Sequence, residues 1–492
     1  MAKKDENGAV QCAWTYASEQ CHNAVRAVFH YVWFWRMTMF LRTLVATAIS
    51  AAPSIAHAES SSLQAAIGNP ANLHVSATIR LRYEALSGQP RAGLNPDDEQ
   101  LAIRSTLSAE WHRGAITMGA EINDSRAYLG KAGSSISAND VNTFEPVQAY
   151  VAAAISKPFG EGSFLTIKGG RFTFNLGSRR FVSSDDYRNA TAAYAGLRAD
   201  LKLAGGTNAT VFYTLPVQHR PDDLASILVN RAALDKEDFS LRLWGAVVAR
   251  PKSFGPATPE LGFYRLQERD TPARATRDRN LVTISARVFR DPKLGQWDYE
   301  LELAHQFGSI SASSLATAAK LDVSANLVHA SLGYSLPGKA RARLSIAYDY
   351  VSGDGPDAAY GRFDTLYGSR RGEFAPAGIL SDIGRANIAG PVVRLELAPG
   401  KRLDAMVNWR AMWLASRTDS FSTSGVRDQS GFSGDFAGHL IDARVRYWLL
   451  PDVLRGELNA SWIGKGQFLR QAPNAPATGD TRYFSATLSA SF

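Results

Sequence analysis

The chain has 492 residues, 45% hydrophobic and 20% charged, with 54 Lys and Arg against 46 Asp and Glu. Aromatic and aliphatic residues run from end to end, which excludes a disordered protein. Only one stretch, near residue 45, approaches the length of a spanning helix, which excludes a polytopic helical membrane protein. The positive excess is too small to argue for a nucleic-acid partner.

The first element is that apolar stretch. Phe40 to Ala52 is interrupted only by Arg42, Thr43, Thr47 and Ser50, and it leads through Pro53-Ser54-Ile55 to Ala56-His57-Ala58, a small-x-small pattern. This predicts a signal peptide over 37–58, cleaved before Glu59. Residues 1–36 are mixed and rich in Trp and His, unlike a signal n-region. They are expected to be an upstream extension of the reading frame, with the true start at Met37 or Met39. The alternative is a genuine N-terminal domain. Both cysteines, Cys12 and Cys21, fall in this leader, so the exported chain has no disulfide framework, thiolate metal site or cysteine nucleophile. Residues 59–70 read as a short periplasmic segment.

From residue 71 the chain alternates with period two. Leu73, Val75, Ala77, Ile79, Leu81, Tyr83 and Ala85 share one face; His74, Ser76, Thr78, Arg80, Arg82 and Glu84 share the other. Successive strand side chains point to opposite faces, so one side meets an apolar medium and the other meets water. Eighteen such segments follow, at about 71–86, 98–112, 115–127, 145–156, 163–174, 193–204, 207–217, 238–250, 258–269, 278–290, 296–308, 321–336, 339–352, 388–398, 401–416, 436–450, 453–465 and 481–492. Short connections such as Arg113-Gly114, Gly205-Gly206, Pro337-Gly338, Pro399-Gly400 and Pro451-Asp452 alternate with long ones, the longest at 353–387. An even strand number with tight turns at one end and long loops at the other predicts an all-β fold. It is a transmembrane antiparallel up-and-down β-barrel of about 18 strands over 71–492, set in a bacterial outer membrane. Closure leaves no sheet edge for lipid to face. The last strand alternates Phe484, Ala486, Leu488, Ala490 and Phe492 against polar residues, and ends on an aromatic residue. That resembles the signature such barrels present to the barrel assembly machinery. Trp111, Trp409, Trp413, Tyr447 and Trp462 suit interfacial girdles. A soluble sandwich or propeller also alternates, but accounts for neither the loop asymmetry nor the terminal Phe.

If apolar residues face lipid, the opposite parity lines the lumen. It carries Arg80, Arg82, Arg104, Arg198, Lys202, Arg242, Arg287, Arg341, Arg343, Arg394, Arg410, Arg444, Arg446 and Arg455. It also carries Glu84, Glu110, Glu121, Asp200, Asp298, Glu300, Glu302, Asp349, Glu396, Asp404, Asp442 and Glu457. This near balance predicts a charged, water-filled passage in which many charges pair across strands. Arg179, Arg180 and Arg188 lie on the 175–192 loop, and Arg370, Arg371 and Arg385 on the 353–387 loop. Folded inward, they place guanidinium groups in the constriction, where a planar fork binds carboxylates. Folded outward, they bridge lipopolysaccharide phosphates.

Several strings resemble the alginate export family of outer-membrane proteins. They are Glu121-Ile122-Asn123-Asp124-Ser125-Arg126-Ala127-Tyr128, Gln148-Ala149-Tyr150-Val151, and Gly170-Arg171 leading to Leu176-Gly177-Ser178-Arg179-Arg180. Next come Tyr194-Ala195-Gly196-Leu197-Arg198, Tyr348-Asp349-Tyr350-Val351-Ser352-Gly353-Asp354 with Phe363-Asp364-Thr365-Leu366-Tyr367-Gly368, and Trp462-Ile463-Gly464-Lys465-Gly466-Gln467-Phe468. The resemblance implies an eighteen-stranded secretion channel that passes an anionic uronic-acid polysaccharide through an arginine-rich lumen. It implies a place in the conduction path for Arg126, Arg171, Arg179, Arg180, Arg198 and Asp349, and a periplasmic scaffold lipoprotein among the partners. Two departures stand out: Gly169-Gly170 suggests a bulge near Arg171, and Phe181 stands where an aliphatic residue is expected.

The expected substrate path is therefore Arg80, Arg104, Arg126, Arg171, Arg179, Arg180, Arg198, Arg287, Asp349, Arg410, Asp442, Arg444 and Arg446, without metal or cofactor. Serial weak arginine sites let a carboxylated polymer slide. Nothing resembles a nucleotide-binding loop, and the scattered histidines sit in no nucleophile motif, so no enzyme is expected. The competing reading is a substrate-selective uptake porin for small anions or sugars, which the same fold can serve.

Overall fold

The computed structural model describes residues 62–492 except 273, 371, 372 and 377. The expected signal peptide over 37–58 and the expected extension before it lie outside that range. A one-turn helix, α1 (Leu63–Ala66), is capped by Ser62, whose hydroxyl accepts from the Ala65 N–H at 3.1 Å. Gln64 then serves the start of the first strand, donating to the Leu73 carbonyl and accepting from the Val75 N–H, each at 2.8 Å. Those groups lie below the point where the last strand begins to pair, so the side chain covers an otherwise open edge.

Eighteen strands follow. They are β1 (Leu73–Ser87), β2 (Asp98–Arg113), β3 (Ile116–Tyr128), β4 (Asn142–Ser156), β5 (Phe164–Phe172), β6 (Tyr194–Lys202), β7 (Asn208–Pro216), β8 (Leu241–Ala249) and β9 (Thr258–Glu268). Then come β10 (Asn280–Arg290), β11 (Trp297–Ser311), β12 (Lys320–Ser335), β13 (Arg343–Val351), β14 (Ile388–Leu397), β15 (Leu403–Trp413), β16 (Phe436–Leu450), β17 (Leu454–Lys465) and β18 (Thr481–Ser491). Each pairs antiparallel with its sequence neighbours, and β1 pairs with β18 from Thr78↔Ser491 to Ser87↔Arg482, which closes the barrel. Strands of this length cross a bilayer when tilted. Two further single-turn helices lie in long loops: α2 (Leu224–Leu228) and α3 (Gln467–Gln471).

The outward faces are apolar and bare. Leu197 is 61% exposed, Leu261 64% and Ile346 55%, which only a hydrocarbon surround satisfies around a whole wall. Trp111, Trp409, Trp413, Tyr447 and Trp462 all sit on this outward parity.

The boundaries differ from expectation where turns are wider than their sequence. β13 starts at Arg343, because Arg341 takes a positive φ in the preceding turn and does not reach the wall. No bulge interrupts β5: its register runs unbroken against both neighbours, and the shift lies in the β3–β4 pairing at Glu121 and Ile122. Gly170 and Gly196 stand directly opposite each other. A Cβ on Gly170 would lie 2.3 Å from the Ala149 carbonyl oxygen, so close backbone approach explains the glycine.

Candidate functional site

The lumen is filled at its long-loop end by two connections that fold inward. Residues 175–192 leave β5 and make a turn closed by the Leu176 N–H on the Val182 carbonyl at 3.2 Å. The segment then crosses to the far wall. Arg80 donates to the carbonyls of Asp186 at 2.8 Å and Arg188 at 2.6 Å, and Arg104 donates to Thr191 Oγ1 at 2.9 Å. Ser125 donates to the Asn189 carbonyl at 2.7 Å, and the Arg82 guanidinium lies 3.9 Å from the centre of the Tyr187 ring. The 353–387 loop runs alongside. The Tyr367 N–H donates to the Phe181 carbonyl at 2.9 Å, and the Ser183 N–H returns a bond to the Tyr367 carbonyl at 3.0 Å.

Apolar side chains bond the two loops to one part of the wall. Phe174, Phe181, Phe363 and Tyr367 from the loops belong to one core with the inward-facing Leu243, Tyr264, Leu266 and Leu281 of β8, β9 and β10. Phe181 lies 5.1 Å from Tyr264 between ring centres, so the aromatic residue in place of an aliphatic one is a packing contact.

Under this core lies an ionic knot. Arg180, 3% exposed, pairs with Glu300 at 2.5 Å and also with Glu302 and Glu373. Burial opposes the Arg180 charge, but the carboxylates of Glu373, Glu302 and Glu300 outweigh it and hold the guanidinium firmly protonated. Glu373 binds Arg385 at 2.5 Å through its second oxygen. Despite its burial, Arg180 and Arg385 keep its carboxyl well below the usual carboxylate range. Arg287 pairs with Glu300 at 2.8 Å. Beside the knot, Asp349 is held by His329 at 2.6 Å and by Arg410 at 2.7 Å.

Above the knot a cavity of about 910 Å³ opens among the long loops. Eight arginines line it against four acids, Asp140, Asp185, Glu268 and Asp364. Arg91 comes from the first long loop, Arg188 from 175–192, Arg274, Arg277 and Arg279 from the loop after β9, and Arg362, Arg370 and Arg385 from 353–387. Some are neutralised: Arg279 pairs with Glu268 at 2.8 Å and Asp364 at 2.9 Å, and Arg362 with Asp419 at 2.6 Å. Three have no carboxylate partner among the described residues. Arg91 donates to Ser381 Oγ at 2.7 Å, Arg277 to the Ser311 carbonyl at 2.8 Å, and Arg370 to the Ser381 carbonyl at 2.8 Å. Burial and the nearby Arg188 lower the Arg370 guanidinium to about 10. Such a group gains from an incoming anion.

Below the knot, guanidiniums descend one wall. Register sets Arg410 opposite Val392, Arg394 opposite Asn408, Arg444 opposite Met406 and Arg446 opposite Asp404, so the four step down β14, β15 and β16 toward the tight turns. Arg446 is pinned to Asp404 at 2.9 Å, and Asp442 accepts from Ser461 at 2.8 Å. On another part of the wall Arg198 is held by Asp200 at 2.8 Å.

Strand parity thus places Arg80, Arg104, Arg198, Arg287, Asp349, Arg410, Asp442, Arg444 and Arg446 inward, and the loop residue Arg180 is inward too. Arg179 stands exposed at the tip of its turn. Arg371 lies outside the described residues. Two expected path residues are corrected. Arg126 stands opposite Ile103 on the outward face, pairs with Asp124 at 2.9 Å and lies over Phe144, itself 64% exposed. Arg171 stands opposite Ala149 on the outward parity and turns at the rim onto Glu145 and, at 2.5 Å, Glu237. Arg242 is corrected as well: Leu241, Leu243 and Val247 face inward on β8, so Arg242 shares the outward face with Trp244 and Val248. Sequence reasoning missed Arg91, Arg274, Arg277, Arg279 and Arg362. The run Arg274-Ala275-Thr276-Arg277-Asp278-Arg279 in a single loop was the available signal.

The sequence profile of the alginate export family matches residues 71–481. Among solved structures, OccAB1 of Acinetobacter baumannii is 12% identical, with a TM-score of 0.56 over 85% of this chain and 96% of that one. OpdO of Pseudomonas aeruginosa is 14% identical, with a TM-score of 0.53 over 86% and 97%. OccK2 of the same organism, solved in complex with glucuronate, is 15% identical, with a TM-score of 0.53 over 85% and 98%. At these identities the likeness is one of fold. Comparison with curated proteins gave no match.

Proposed function

The chain belongs to the alginate export family of the bacterial outer membrane, and on that premise we propose that this transport channel secretes an anionic, uronic-acid polysaccharide. The carrying observation is the vestibule: eight arginines against four acids, three of the arginines lacking a carboxylate partner among the described residues. A carboxylated sugar entering it exchanges hydration for guanidinium forks. The column from Arg410 to Arg446 supplies further sites in series, each balanced by nearby acids so that no site holds the chain too tightly. In this reading Arg80 and Arg104 act indirectly, holding the 175–192 loop where it narrows the passage. The C-terminal strand ending at Phe492 is the expected contact for the assembly machinery, and a periplasmic scaffold lipoprotein the expected partner at the tight-turn end.

One observation favours a second reading, uptake of small uronates. The cavity is bounded, opens toward the long loops that face the cell exterior in such barrels, and is floored by a packed apolar core. The glucuronate-bound OccK2 structure shares the fold. Planar-bilayer recordings test both. Anion preference, with current blocked by oligouronate but not by a neutral oligosaccharide of equal length, is the expected result. Clear cation selectivity overturns the polyuronate reading. Liposome swelling by free glucuronate, without oligouronate block, selects uptake.

A further inference from the structure

Glu373 occupies a place that its surroundings suit to a ligand. Its two oxygens are shared between Arg180 and Arg385, and its carbonyl accepts from Arg410 at 3.1 Å. The next side chain, Phe374, is 2% exposed, with the Arg410 guanidinium 4.4 Å and the Arg385 guanidinium 5.4 Å from its ring centre. Arg385 lines the vestibule above. Arg410, 1% exposed, heads the column below, and its Nε and Nη1 have no hydrogen-bond partner among the described residues. Buried guanidinium nitrogens are ordinarily satisfied. Two unmet donors under an aromatic cover, in line with a cation that faces the vestibule, point to a group that binds there when the cover lifts.

We propose that Glu373 is a resident stand-in for the ligand's carboxylate, and that a carboxylate rising along the column to Arg410 draws Phe374 aside, displaces Glu373 from Arg385 and passes into the vestibule. The inference deepens the proposed function and rests on it for the identity of the ligand. The exchange replaces one carboxylate with another, so no buried charge is left uncompensated at Arg385. Arg180 keeps Glu300 and Glu302 throughout, which holds the rest of the knot in place. Retention of Glu373 when no ligand is present keeps the lumen shut to small ions.

The whole protein in planar bilayers with KCl tests this, with glucuronate as the probe. Wild type is expected to conduct weakly and to open when glucuronate is added on the tight-turn side. E373Q is expected to conduct roughly tenfold more than wild type without glucuronate and to gain nothing from it, the size of shift a single coupling contact gives. F374A behaves in the same direction, and so does R385Q, because it removes the contact that retains Glu373. Heat-modifiable gel mobility checks that each variant is folded. Folded E373Q and F374A with wild-type conductance overturn the proposal. So does an equal opening by E300Q, because the effect would then be general loosening of the knot. If E373Q opens in KCl while wild type responds to glucuronate no more than to added chloride, the stand-in role holds and the uronate reading fails.

Discussion

The β8–β10 wall and the β14–β16 wall obey the same alternation and mean opposite things by it. On β14–β16 the inward positions are mostly polar, among them Arg394, Glu396, Asn408, Arg410, Asp442, Arg444 and Arg446, with lipid-facing Val393, Val407 and Ile441 behind them. Toward the long-loop end of β8–β10 the inward positions are apolar, among them Leu241, Leu243, Tyr264, Leu266 and Leu281, because two loops have filled the lumen there with aromatic side chains. Period two reports that the two faces of a strand differ. It does not say which face is inside once a protein core replaces water in the lumen.

The contrast can be broken at its strongest point. Leu243→Ala or Leu266→Ala, each at a fully buried position, is expected to cost about 2–5 kcal/mol, read as a lower temperature for the heat-induced change in gel mobility. Arg446→Ala, half-open on the polar wall and tied to one acid, is expected to cost less than about 1 kcal/mol. Equal losses would mean the loops add nothing to the β8–β10 wall. The next effect concerns selectivity. Replacing Arg91, Arg277 and Arg370 together with Gln is expected to reduce anion preference more than replacing Arg444 and Arg446, since only the first three lack an ion-paired carboxylate among the described residues. Reversal potentials in a KCl gradient decide the order.

A smaller effect concerns Asp382 in the 353–387 loop. It is 1% exposed, and burial pushes its carboxyl up to about 6 against a backbone hydrogen bond and the pull of Arg91 and Arg370. A carboxyl whose affinity for protons rises on folding favours the folded loop when protonated. That stabilisation is present at low pH, declines as pH climbs through the unfolded carboxyl's range near ~4, and is gone above about 6. Limited proteolysis of this loop should therefore slow on moving from pH 7.5 to pH 5, by on the order of 1 kcal/mol of opening free energy. Asp382→Asn should protect it at both pH values. The smallest effect is at Arg126: Arg126→Gln is expected to leave ion selectivity unchanged, because the side chain lies on the outer wall. A shift there would put the outward assignment in error.

These residues also show what the sequence could disclose. Strand number, strand order and the β13–β18 lumen face followed from alternation and turn chemistry, since lipid and water impose opposite polarities on neighbouring residues. Arg242 was misplaced because a leucine-lined inner face looks like a lipid-facing one. Arg126 and Arg171 lie in strings that resemble the alginate export family, but strand parity turns both outward. The vestibule was hardest to see. Its arginines come from four loops distant in sequence, and only their folding inward makes them neighbours.

The 175–192 loop also bears on how the barrel is finished. Arg80 on the first strand holds its backbone, while Tyr187 of the same loop approaches Tyr483 of the last strand, hydroxyl to hydroxyl at 3.4 Å. These two strands are the ones brought together only when the wall completes its circuit. The loop accordingly acts as a clasp across the seam: it cannot seat fully on a half-built wall, and once seated it resists the parting of the strands that meet last.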